Sequence, residues 1–82
     1  MIIRVQLFAR ARDLAGAEWI DIELAVAATV GDLRHALEIK FPTLGALLLR
    51  SAIAVDEDFA ENSTYLSPGS KVAILPPVSG GS

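Results

Sequence analysis

Cysteine is absent from this 82-residue chain, which removes disulfides and thiolate metal sites together. Histidine occurs once, as His35, so the chain cannot supply the usual imidazole cluster for a metal, and His35 reads as solvated or structural. Positive charge is in the minority: seven basic residues face ten acidic ones, for a net charge of −3. That balance lacks the basic face that a nucleic-acid backbone demands. No glycine-rich loop precedes a helix, the arrangement that cradles a nucleotide phosphate. No charged-then-apolar leader opens the chain, and Arg4 interrupts the first apolar run. Neither a signal peptide nor a membrane span is expected, and the expected compartment is the cytoplasm. Internal repeats are also lacking. These absences leave one small domain with few reactive side chains.

What is present is ample apolar material, 52% of the chain, enough for a core and too much for disorder. Met1 to Phe8 reads as a strand, with Ile3, Val5 and Leu7 alternating against Arg4, Gln6 and Phe8. Residues 9–16 hold a short helical turn stopped by Gly16. Trp19 to Leu24 alternates again and predicts a strand antiparallel to the first. Thr29 to Phe41 is the main helix: Thr29 is the N-cap and Asp32 completes a capping box. Val30, Leu33, Leu37 and Phe41 form its apolar face, with Asp32, Arg34, Glu38 and Lys40 mostly outside it. Pro42 ends it. Leu44 to Arg50 predicts a second short helix, weakened by Gly45. Ser51 to Val55, a short strand at Phe59, and Lys71 to Leu75 complete the strands, the last entered through a type II turn at Ser67-Pro68-Gly69-Ser70. The order predicts an α+β fold, a mixed sheet of four or five strands packed on one main helix plus short helices. If the first and last strands lie side by side in parallel, the fold is the ubiquitin-like β-grasp.

The domain is expected to span residues 1–75, and residues 76–82 to form an extended, flexible tail. Pro76 and Pro77 cannot donate ladder bonds, so they stop the last strand and stiffen the start of the tail. Gly80 and Gly81 carry no side chain and can thread a gap too narrow for other residues. Extended, Pro76 to Gly81 reaches roughly 20 Å, far enough to put the chain end inside another protein. The other candidates are weaker. Asp56, Glu57, Asp58 and Glu61 read as a solvated acidic turn rather than a catalytic pair, and Arg10 and Arg12 as solvated arginines rather than an anion contact. A backbone carboxylate on a narrow arm is a handle for chemistry done by other proteins. Adenylation activates it, a sulfur nucleophile then yields a thiocarboxylate, and an amine yields an isopeptide bond.

At these residues the chain resembles a known family, the small, sulfur-carrying subunits of molybdopterin synthase. The similarity runs from Ile3–Phe8 into Ala9–Gly16, through Thr29-Val30-Gly31-Asp32-Leu33 and Ala54-Val55-Asp56. It is strongest over Val72-Ala73-Ile74-Leu75-Pro76-Pro77-Val78-Ser79-Gly80-Gly81. The resemblance implies a β-grasp fold and a sulfur-carrier role. Gly81 is then the residue adenylated and converted to a thiocarboxylate, and Gly80 the narrow residue beside it. Implied partners are the large synthase subunit, in a heterotetramer, a ubiquitin-activating-like adenylyltransferase and a sulfur-donor protein. No cofactor is bound permanently; ATP is used by the activating enzyme. The acceptor of the sulfur is cyclic pyranopterin monophosphate, and the catalytic side chains belong to the large subunit.

Partner binding is expected from Phe8, Phe59 and Leu75 on the open face of the sheet and from Pro76, Pro77, Val78 and Ser79 of the tail. Two departures from the family pattern stand out. Lys71 occupies a place before the last strand where an acidic residue is often expected. Ser82 follows Gly81, where the family's mature chains end at glycine. Ser82 is read as a residue clipped before activation, as an addition to the native end, or as the mark of a chain activated at Ser82 or inactive as a carrier. Three other functions share the architecture: a ubiquitin-like protein modifier, a sulfur carrier for thiamine or tRNA thiolation, and a β-grasp interaction domain with an inert tail.

Overall fold

The computed structural model describes residues 1–77. The tail positions Val78, Ser79, Gly80, Gly81 and Ser82 lie outside the described residues. Strand β1 (Ile2–Leu7) is followed by helix α1 (Ala9–Ala15), strand β2 (Trp19–Glu23) and helix α2 (Val30–Lys40). A single 3-10 turn (Pro42–Leu44) leads into α3 (Gly45–Arg50), and strands β3 (Ala52–Val55), β4 (Asp58–Ala60) and β5 (Val72–Leu75) complete the order. The five strands form one sheet in the order β2-β1-β5-β3-β4. β1 and β5 lie side by side in parallel, and every other pair is antiparallel. The parallel central pair that the β-grasp requires is therefore present.

Alternation in the sequence decides which face is buried. Ile3, Val5 and Leu7 of β1, Ile53 of β3, and Val72 and Ile74 of β5 are essentially sealed from solvent. They meet Val30, Leu33 and Leu37 of α2 in one core. The α2 cap is the expected capping box: Asp32 N–H donates to Thr29 Oγ1 at 3.2 Å and Thr29 N–H to Asp32 Oδ2 at 2.9 Å. Gly16 ends α1 in the left-handed region at φ 75, and its N–H returns to Arg12 C=O. Gly69 sits at φ 87 and Ser70 N–H donates to Ser67 C=O at 2.9 Å, which closes the turn into β5.

Three local expectations change. The second short helix, expected from Leu44, begins at Gly45, because a 3-10 turn takes Pro42–Leu44; proline takes the first position of that turn, where it has no partner to lose. Gly45 is no defect in α3, because it is buried and a Cβ there would stand 2.9 Å from Glu38 Oε2. The atom so close is the flexible end of the exposed Glu38 side chain, which a larger residue would have to push aside. Arg34 is half-buried rather than outside the packed face. It donates to Asn62 Oδ1 at 2.8 Å, to Ser51 C=O at 3.0 Å and to Leu48 C=O. The guanidinium thereby ties α2 to the end of α3, the approach to β3 and the 61–64 turn.

Candidate functional site

The helices cover one face of the sheet and leave the other bare. Register places five residues in a row across that open face: Trp19 opposite Gln6, Gln6 beside Ala73, Ala73 opposite Ala54, and Ala54 opposite Phe59. Directly paired residues share a face, and strands stand about 4.8 Å apart, so the row spans roughly 19 Å. Its ends are aromatic and exposed, Trp19 at 50% and Phe59 at 79%. Its middle is two alanines. Trp19 walls a groove of about 600 Å³ over the Ala54–Ala73 floor, lined also by Ile2, Arg4, Glu57 and Lys71; Phe59 stands outside it, at the β4 end of the row. Arg4 Nε meets Asp21 Oδ1 at 3.2 Å along the same face.

The partner residues expected from the sequence fall into place unequally. Phe59 stands fully on the open face. Leu75 follows Ala73 on that face but is half-buried, as is Phe8 just beyond β1. Pro76 is half-buried and Pro77 exposed. β5 is a central strand and ends at Leu75, directly before Pro76 and Pro77. Sequence reasoning misses Trp19 and the Ala54–Ala73 floor. The signal for Trp19 is present in its alternation against Ile20 and Ile22, but an alanine floor becomes visible only when register brings three strands together.

Lys71 joins the rim of the groove, and its backbone is held by Asp56. Asp56 N–H donates to Lys71 C=O at 2.8 Å, and Lys71 N–H to Asp56 Oδ1 at 3.0 Å. One carboxylate of the acidic run is therefore engaged in docking the β3–β4 hairpin onto β5. His35 is exposed on α2, and Arg10 and Arg12 are exposed on α1. Among the described residues no group of three or more His, Asp or Glu is placed to hold a metal ion, and no helix is long and apolar enough to cross a membrane. Burial pushes the Arg34 guanidinium below its ordinary value, and it remains a cation at neutral pH.

A mixed five-stranded sheet of this order on one main helix is a ubiquitin-like β-grasp, here with a bare face beside its central C-terminal strand. Residues 5–81 match the ThiS family, to which the chain belongs. The molybdopterin synthase sulfur carrier subunit of Arabidopsis thaliana is 33% identical over 79 residues, covering 96% of this chain and 82% of that protein. SAMP1 from Haloferax volcanii superposes with a TM-score of 0.90 at 26% identity, covering 99% of this chain and 100% of that one. A chain in the complex of subunits 1 and 2 of molybdopterin-converting factor from Helicobacter pylori 26695 superposes with a TM-score of 0.72. It is 28% identical, with 99% of this chain and 100% of that one covered.

Proposed function

We propose that this chain is the sulfur carrier of a molybdopterin synthase and acts in molybdenum cofactor biosynthesis. The observation that carries the reading is the near end-to-end match to a molybdopterin synthase sulfur carrier subunit, within a family match that runs through Gly81 and stops before Ser82. In this reading the chain pairs with a large subunit, in keeping with the complex of subunits 1 and 2 from Helicobacter, and its open face is the docking surface. Trp19 and Phe59 flank the contact, and the tail enters the partner's site.

The chemistry is that of a carboxylate on a bare backbone. A Gly81 carboxylate oxygen attacks the α-phosphorus of ATP, pyrophosphate leaves, and an acyl adenylate forms on the activating enzyme. The terminal sulfur of a persulfide on the donor protein displaces AMP to give an acyl disulfide, and a second thiol cleaves its S–S bond, releasing the thiocarboxylate and leaving a disulfide with the donor sulfur. Two loaded carriers in turn pass one sulfur each to cyclic pyranopterin monophosphate in the large subunit, and water cleaves each acyl–sulfur bond, restoring the carboxylate. Gly81 is followed by Ser82, so its carbonyl is held in a peptide bond and offers no carboxylate oxygen. Cleavage after Gly81 precedes activation.

Reconstitution tests this. The thiocarboxylated chain ending at Gly81 is mixed with the large subunit and the pterin precursor, and dithiolene formation is followed. Product formation supports the reading, and a loaded carrier that yields none contradicts it. The likeness to SAMP1 and to the small archaeal modifier protein 1 of Methanosarcina acetivorans favours one second reading: transfer of Gly81 to lysines of other proteins. Isopeptide products in place of dithiolene would select it.

A further inference from the structure

A sheet has two edges, and here they are finished differently. On the β2 side, Leu24 N–H donates to Met1 C=O and Leu7 N–H to Glu18 C=O. Antiparallel alternation then turns the backbone groups of Ile20 and Ile22 toward β1, and those of Trp19, Asp21 and Glu23 outward. Lys40 reaches over from α2 and covers the middle of that outward row, donating from Nζ to Asp21 C=O at 3.2 Å.

The β4 side has no such cover among the described residues. There, β4 pairs only with β3. The turn between them has two residues, Asp56 and Glu57, both left-handed at φ 51 and 74. That turn makes Val55 and Asp58 the pair that exchanges both backbone bonds. The N–H and C=O of Phe59 therefore point away from β3, and no hydrogen bond among the described residues reaches them. Alongside runs a groove of about 450 Å³ between β4 and the 64–70 segment, walled by Phe59, Tyr65 and Pro68. Tyr65 is 70% exposed.

Charge selects the occupant. Asp58 of β4 lines this groove and Glu61 follows β4 directly, and both are exposed. A second copy of the chain would set the same carboxylates against them, which opposes self-pairing. We propose that the outer edge of β4 accepts an extended segment of a partner protein by strand addition. That segment alternates lysine or arginine with aliphatic residues. Its backbone pairs with Phe59, its aliphatic side chains lie against Tyr65 and Pro68, and its cations meet Asp58 and Glu61. The Phe59 ring borders both this edge and the open face, but the strand pairing uses the Phe59 backbone, so the backbone test below separates the two sites.

The test uses the isotope-labelled full chain and a synthetic hexapeptide of alternating lysine and valine. Amide shifts centred on Asp58, Phe59 and Ala60, with slowed exchange of the Phe59 N–H, are expected. N-methylation of alternate peptide residues keeps the charge but removes the backbone bonds of one register. In the pairing register it weakens binding by roughly tenfold, and replacing lysine by glutamate abolishes binding. Asp58→Asn weakens the hexapeptide several-fold without moving the melting temperature. Shifts confined to β2 or to the open face would overturn the proposal. So would the absence of any shift at β4, or binding that neither N-methylated register diminishes.

Discussion

Replacing Phe59 by threonine separates docking from folding. The ring is 79% exposed in the isolated chain, so folding has hidden only about a fifth of it. Full burial of a phenylalanine side chain is worth about 1.5–3 kcal/mol. The four-fifths still exposed leaves at most about 1.2–2.4 kcal/mol for a partner to gain, roughly a tenfold to fiftyfold change in affinity. The fifth already buried contributes about 0.3–0.6 kcal/mol to folding, or a shift of no more than about 5 °C. Threonine keeps the strand preference that alanine would forfeit. Calorimetric titration with the large synthase subunit should show the affinity loss, and a circular-dichroism melt should be nearly unmoved. Unchanged affinity would remove Phe59 from the docking face, and a fall of more than about 10 °C would place the ring in the core.

Leu75→Asp should abolish binding to the large subunit while lowering the melting temperature only modestly, because Leu75 is half-buried on the open face; loss of the folded circular-dichroism spectrum would contradict this. Arg34→Met removes all three donors to Leu48, Ser51 and Asn62. It should cost about 2–4 kcal/mol after allowance for partial exposure, read as a drop of roughly 10–25 °C with no change in partner affinity of the folded chain. Gly80→Val should leave the melt unchanged and lower sulfur transfer at least about tenfold, because a side chain widens a segment that must thread as bare backbone; normal turnover would show that the glycines supply only flexibility.

Much of the fold is legible in the sequence because alternation and capping are local. Ile3, Val5 and Leu7 announce the buried face, and Thr29 with Asp32 announces the start of α2. Strand order is not legible, since nothing in Lys71–Leu75 states that β5 lies between β1 and β3. The same limit hides the floor of the docking groove: Ala54 and Ala73 are unremarkable until register sets them together. Arg34 reads as a surface charge because its helical position borders the apolar stripe. Its partners are two backbone carbonyls at least 14 residues away and one side chain from a different turn. Gly45 reads as a weak point because helix propensity sees only the helix it belongs to, whereas its burial beside Glu38 of the neighbouring helix appears only in the structure. The tail expected from two prolines and two glycines in a row lies mostly outside the described residues, which end at Pro77.

The carrier claim is tested most directly by intact-mass spectrometry of two chains, one ending at Gly81 and one retaining Ser82. Each is incubated with ATP, the activating enzyme and a sulfur donor. A single sulfur-for-oxygen exchange is predicted on the chain ending at Gly81 and none on the chain that keeps Ser82. An unchanged mass for the Gly81 form, or sulfur gained on a chain still carrying Ser82, would contradict the claim.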